Sequence, residues 1–128
     1  ITILSKNTAV LYNGTKITIE HLYEINPFDN EIIIVEVPGK VIANFLRKSS
    51  TYYGLRDGLS LSKLQNDNSI YKVAVIDYVY YWNDFPNTYE STETDVILRD
   101  AMVEDLRLRT SFNPSVDSSA FVGNLFIN

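Results

Sequence analysis

Residues 31–49 read EIIIVEVPGKVIANFLRKS, and two hydrophobic periodicities meet there at Pro38-Gly39. From Glu31 to Val37 the run is β-branched and almost continuously apolar, the pattern of a strand covered on both faces. Pro38-Gly39 turns the chain. From Lys40 to Ser49 the apolar residues Val41, Ile42, Phe45 and Leu46 keep helical spacing with polar residues opposite.

Upstream, Thr18 is placed to cap a short helix through Tyr23, with Glu20 in its first turn and Pro27 after its end. Asn13-Gly14 signals a turn, and Ile1 to Leu4 a short strand. Downstream, Asp57-Gly58 predicts a hairpin between strand-like flanks at Tyr52-Tyr53 and Leu59-Ser60-Leu61. Tyr71, Val73 and Val75 alternate, predicting a strand to about Tyr78. Asp95 to Leu106 carries Ile97, Leu98, Ala101, Met102 and Leu106, an amphipathic helix stopped by Asn113-Pro114. Ser115 to Asn128 reads as a tail that ends in a short strand at Leu125 to Ile127. Strands and helices are mixed without regular βαβ alternation. The expectation is an α+β fold, one compact domain over residues 1–114 with a mixed β-sheet packed by helices, then a tail over 115–128.

Composition narrows the function. A chain of 128 residues is ordinary for one domain and long enough to bury a core. Hydrophobic residues make up 45% and aromatics 12%, which excludes a disordered chain. Net charge is −5, and the longest basic cluster is the short Arg107-Leu108-Arg109. Nucleic acid and anionic membrane need a concentrated positive field, so neither is expected as a partner. A small anionic ligand needs only a few donors and stays open. Without cysteine there is no disulfide, thiolate zinc site or cysteine nucleophile. No apolar run approaches the roughly 20 residues of a membrane span. The chain begins at Ile1 without a signal-peptide pattern, so it reads as a processed product or a piece of something longer. Asn13-Gly14-Thr15 is a glycosylation sequon.

The chemistry of an independent enzyme is missing. Two-metal hydrolases need several His and carboxylate ligands, but His21 is the only histidine and lies on the polar side of the first helix. No nucleophile elbow is present, and Gly54 and Gly58 do not make a phosphate loop. The residues alone give an α+β domain that is not expected to be catalytic by itself.

Three segments carry a resemblance. Thr18 to Ser49 (TIEHLYEINPFDNEIIIVEVPGKVIANFLRKS) has a short helix, Pro27-Phe28-x-Asn30, an apolar strand, a glycine turn and a helix. Ile70 to Phe85 (IYKVAVIDYVYYWNDF) has Tyr71-x-Val73-Ala74, an aromatic at Tyr78 and, six residues later, Asp84. The third segment is the late helix, Thr94 through Leu106. In this order they resemble the C-terminal domain of the 5'-nucleotidase and UDP-sugar hydrolase family of metallophosphatases. The resemblance implies an N-terminal metallophosphoesterase domain as partner, outside this chain, which holds two divalent metals and attacks the phosphate. This chain would then hold the nucleoside or nucleotide and need no cofactor of its own. The base would sit between Phe28 and Tyr78, with Asp84 accepting hydrogen bonds from the sugar hydroxyls. The resemblance also implies an extracellular, cell-surface or secretory setting and a domain rotation that carries substrate to the metals.

Two departures from that pattern matter. The family's Asn-x-Gly-Gly-x-Arg, whose Arg reaches the phosphate, corresponds to Ser5-Lys6-Asn7-Thr8-Ala9-Val10. Asn7 keeps the Asn place, but the glycines and the Arg are gone, and the point charge of Lys6 does not replace a bidentate fork. The family's Gly-Gly-Asp-Gly becomes Trp82-Asn83-Asp84-Phe85, whose bulky rings would narrow or re-aim the ligand space. Two readings follow: the substrate-binding half of a metal-dependent phosphohydrolase, or a degenerate, non-catalytic binding or interaction module of the same fold.

Overall fold

The structure is a computed structural model that describes residues 16–50, 53–109 and 125–127. The expected strand at Ile1 to Leu4, the Asn13-Gly14 turn and its sequon, Lys6, Asn7 and Asn113-Pro114 lie outside them. The described elements are α1 (Ile19–Ile25), β1 (Glu31–Pro38), α2 (Gly39–Lys48), β2 (Gly54–Leu55), α3 (Leu61–Gln65), β3 (Ile70–Ile76), α4 (Asp77–Trp82), β4 (Ser91–Ile97), α5 (Leu98–Leu108) and β5 (Leu125–Ile127). The strands form one sheet in the order β2-β5-β3-β1-β4. β1 is antiparallel to both β3 and β4, β5 is antiparallel to β3, and β2 runs parallel to β5. The chain is therefore α+β with a mixed sheet packed by helices, as expected.

Thr18 caps α1 as its position suggests. The backbone N–H of His21 donates to Thr18 Oγ1 at 3.3 Å, and the Thr18 N–H donates to His21 Nδ1 at 3.0 Å. The single histidine thus completes a capping box, a structural task.

β1 and β3 are in register with Ile33 opposite Val75 and Val35 opposite Val73. These side chains and Val37 are buried on one face beneath Ile42, Ala43, Phe45 and Leu46 of α2, Leu64 of α3, and Val79 and Tyr80 of α4. Each large side chain sealed here contributes about 1.5–3 kcal/mol of transfer free energy. The other face of β1, with Ile32, Ile34 and Glu36, is only half-buried. Both faces of the strand are covered, as expected, one sealed and the other partly.

Gly39 is required by close approach. A Cβ there would lie 2.9 Å from the Asp67 carbonyl oxygen and 3.0 Å from those of Leu64 and the Tyr71 ring carbon Cε2. The Gly39 N–H donates to Ser69 O at 3.0 Å and the Lys40 N–H to Asp67 O at 2.8 Å. Two of the donors left open at the start of α2 are satisfied this way, since Pro38 offers no side-chain cap.

Three local expectations are corrected. Asp57-Gly58 does turn the chain, with Gly58 at φ +80°, but the following residues form α3 instead of a return strand. Ser60 decides this by accepting the Lys63 N–H at 3.3 Å as an N-cap. β3 stops at Ile76, and Tyr78 lies on α4. Finally, the late helix begins at Leu98, after β4, because Asp95 takes φ 58° and Thr94 Oγ1 donates to Ile32 O at 2.6 Å across to β1. Among the described residues no helix is long and apolar enough to cross a membrane.

Candidate functional site

The register of β1 and β3 brings the two candidate rings to one end of the sheet. Phe28 lies in the loop just before β1, and Tyr78 lies just after β3, whose Ile76 pairs with Ile32. Asn30 Nδ2 donates to Asp77 Oδ1 at 2.9 Å, tying the Phe28 loop to the start of α4. The Asn30 carbonyl also accepts the Leu98 N–H at 2.8 Å. Phe28 is 61% exposed and Tyr78 56%, which a core reading of either ring does not explain. Both rings are left in water on backbone that these hydrogen bonds pin.

α4 extends this surface. Val79 and Tyr80 point into the core, while Tyr78, Tyr81 and Trp82 face outward. Tyr78 and Trp82 are four residues apart, on the same side of one helical turn. Trp82 is 77% exposed. Tyr81 packs edge-on against Tyr80, with ring centroids 4.9 Å apart, and donates its hydroxyl to Glu93 Oε1 at 3.2 Å. That hydrogen bond, with some burial, holds the Tyr81 hydroxyl above its usual pKa. Tyr78 and Trp82 make no side-chain hydrogen bond with any described residue.

Asp84 follows α4 and is exposed, with a left-handed backbone at φ 54°. It makes no hydrogen bond or ion pair with a described residue. Strained backbone of this kind, which costs of order 1–3 kcal/mol, gathers at ligand-binding positions and turns alike. Phe85 does not crowd the ligand space as its bulk suggests. It is buried, with its ring centroid 5.1 Å from Phe45 and 5.7 Å from Tyr80. Of the two bulky replacements, only Trp82 remains at the surface. Asn7 is outside the described residues, so Phe28 and Tyr78 are joined at one end while Asp84 sits past the far end of α4.

Sequence reasoning missed Arg99. It is the buried charged side chain among the described residues, at 6% exposure in the first turn of α5. Its Nη1 donates to the carbonyls of Asn26 at 3.0 Å and Phe28 at 3.1 Å, its Nη2 pairs with Asp29, and its guanidinium lies 3.9 Å from the Tyr23 ring centroid. Burial works against the charge, but the Asp29 hydrogen bond and Tyr23 outweigh it and raise the pKa further. The available signal was its spacing from buried Met102, which puts a cation on the apolar side of the helix.

Among the described residues no group of three or more His, Asp or Glu is placed to hold a metal ion. What this end offers is flat aromatic surface on a pinned loop, with the Asp84 carboxylate, unpaired among the described residues, past the far end of α4. Such an arrangement can stack on a ring and accept hydrogen bonds.

A family model described as "5'-nucleotidase, C-terminal domain" matches residues 1–65. The match takes in α1 to α3 with the Phe28 loop and ends before β3, so Tyr78, Asp84 and Arg99 lie beyond it. No curated protein and no solved structure matches the chain.

Proposed function

This chain belongs to the family of 5'-nucleotidase C-terminal domains, and from that membership we propose that it is the substrate-binding half of a metal-dependent phosphohydrolase. Its ligand is a nucleoside or nucleotide, taken at the Phe28–Tyr78 end of the sheet. The observation that carries this reading is the pair of exposed rings on backbone tied together by the Asn30–Asp77 hydrogen bond. Base–aromatic stacking supplies about 1–3 kcal/mol per base and tolerates different bases. Asp84, whose carboxylate has no partner among the described residues, accepts from the sugar hydroxyls, and Asn7 completes the binding set.

The reaction itself belongs to a separate N-terminal metallophosphoesterase domain. Two divalent metals there would supply the activated water and polarise the phosphate. The residues of this chain fix the base and sugar so that the phosphate projects toward that domain, which lowers the entropic part of the barrier. An extracellular or cell-surface setting belongs to the same proposal.

A second reading, a non-catalytic module of the same fold, draws on the absent arginine at residues 5–10 and on Trp82 at a glycine place. The two separate in one titration. Adenosine added to the chain should change the fluorescence of Trp82, the only tryptophan, in a saturable way, and Phe28→Ala should weaken the response. Unchanged fluorescence and no heat of binding at millimolar adenosine would favour the second reading.

A further inference from the structure

Burying a guanidinium is costly unless its donors are used. The Nη donors of Arg99 are directed to a single short loop, the Asn26 and Phe28 carbonyls and the Asp29 carboxylate, while its buried Nε has no partner among the described residues. The face of the guanidinium rests on Tyr23, which leads into the same loop. The backbone of Phe28 is thereby gripped through its own carbonyl while its ring stays in solvent. Loop residues are ordinarily among the more mobile parts of a fold. A binding ring carried on a loose loop loses affinity to ordering when the ligand arrives.

We propose that Arg99 is a positioning residue for Phe28: beside the Leu98–Asn30 backbone bond, α5 holds the loop through this side chain so that the ring is already in place before a ligand binds. The inference rests on the reading of Phe28 as a stacking ring. The planar fork suits the task, because two carbonyls and a carboxylate must be held at once. A lysine has a single head and keeps the charge without the fork. Arg99 is buried behind the loop, so it acts through Phe28 and not on the ligand.

A double-mutant cycle on adenosine affinity, measured by calorimetry on the 128-residue chain, tests this. Arg99→Lys should raise Kd about tenfold, the loss of one charge-assisted contact expressed as affinity. Phe28→Ala should raise it by roughly five- to a hundredfold. The double variant should bind no more weakly than Phe28→Ala, because the clamp then has no ring to position. A purely structural arginine would cost the same factor in both backgrounds, and that result overturns the proposal. If Arg99→Lys does not fold, Asp29→Asn loosens the same clamp from its exposed side and takes its place in the cycle. A parent chain that binds adenosine and loses affinity on Phe28→Ala but not on Arg99→Lys overturns this inference alone. A parent chain that binds no adenosine overturns the reading of the site as well.

Discussion

At the Pro38 end of the β1–β3 ladder, backbone packs on backbone. Gly39 leaves no room for a Cβ against Asp67 and Leu64, and the first N–H groups of α2 are satisfied by carbonyls of the α3–β3 loop. At the opposite end, where Glu31 begins β1 and Ile76 ends β3, side chains hold the loops alongside the Leu98–Asn30 backbone bond. Asn30 reaches Asp77, Arg99 reaches Asn26, Phe28 and Asp29, and the rings of Phe28, Tyr78 and Trp82 remain in water. The first end uses its contacts to close the fold. The second uses them to fix a surface that the fold does not consume. Exposed aromatic area with no folding role is what makes the second end the place to look for a ligand.

The largest effect is expected in the closed region. Leu64→Ala, at a fully buried position under α2, should cost about 2–5 kcal/mol in chemical denaturation. Phe28→Ala, by contrast, should shift stability by no more than about 0.5 kcal/mol while costing 1–3 kcal/mol of adenosine affinity. Equal losses of stability in the two variants would erase the distinction between the ends.

Asp84→Gly sharpens the comparison further. Glycine adopts φ 54° without strain, so the variant should be unchanged in stability or more stable by up to about 1 kcal/mol. Adenosine affinity should fall, because the carboxylate is gone. A variant that loses stability and keeps affinity would make Asp84 a turn residue only.

The smallest effect concerns pH at the closed end. The Tyr71 hydroxyl donates to Asp67 Oδ2 at 2.5 Å, and this bond, helped by Ser69, holds the Asp67 carboxyl below its usual range. The same bond holds Tyr71 above its usual pKa of 10.0. The Asp67 contribution is present above its unfolded pKa and lost as pH falls through the lower folded value. The Tyr71 contribution is present below its unfolded pKa and lost as pH rises through the higher folded value. Tyr71→Phe should therefore be less stable than the parent at neutral pH and should converge with it in acid and in strong base. Urea titrations at several pH values check this, and a gap that does not vary with pH would contradict it.

What the sequence made legible follows the same division. The strand at Glu31, the turn at Pro38-Gly39, α2 and the Thr18 cap were readable because core-facing residues and caps leave local patterns. β4 was not, because STETDVI is an edge strand with exposed side chains and carries little apolar alternation. The start of α4, to about Tyr78, was read as more of β3, since the aromatic run DYVYYW is at home in either state. The candidate rings were visible only through the resemblance, and the structure adds that Phe28 and Tyr78 reach the same end of the sheet. Arg99 escaped because its partners lie some seventy residues away, at Asn26, Phe28 and Asp29.

The most direct test is an amide NMR titration of the chain with adenosine. Shifts concentrated at Phe28, Asp29, Asn30, Asp77, Tyr78, Trp82 and Asp84, with Gly39, Leu64 and Ser69 unmoved, are the expected result. Shifts centred on the Pro38 end, or none at saturating adenosine, would contradict a nucleoside-binding surface at the open end of the sheet.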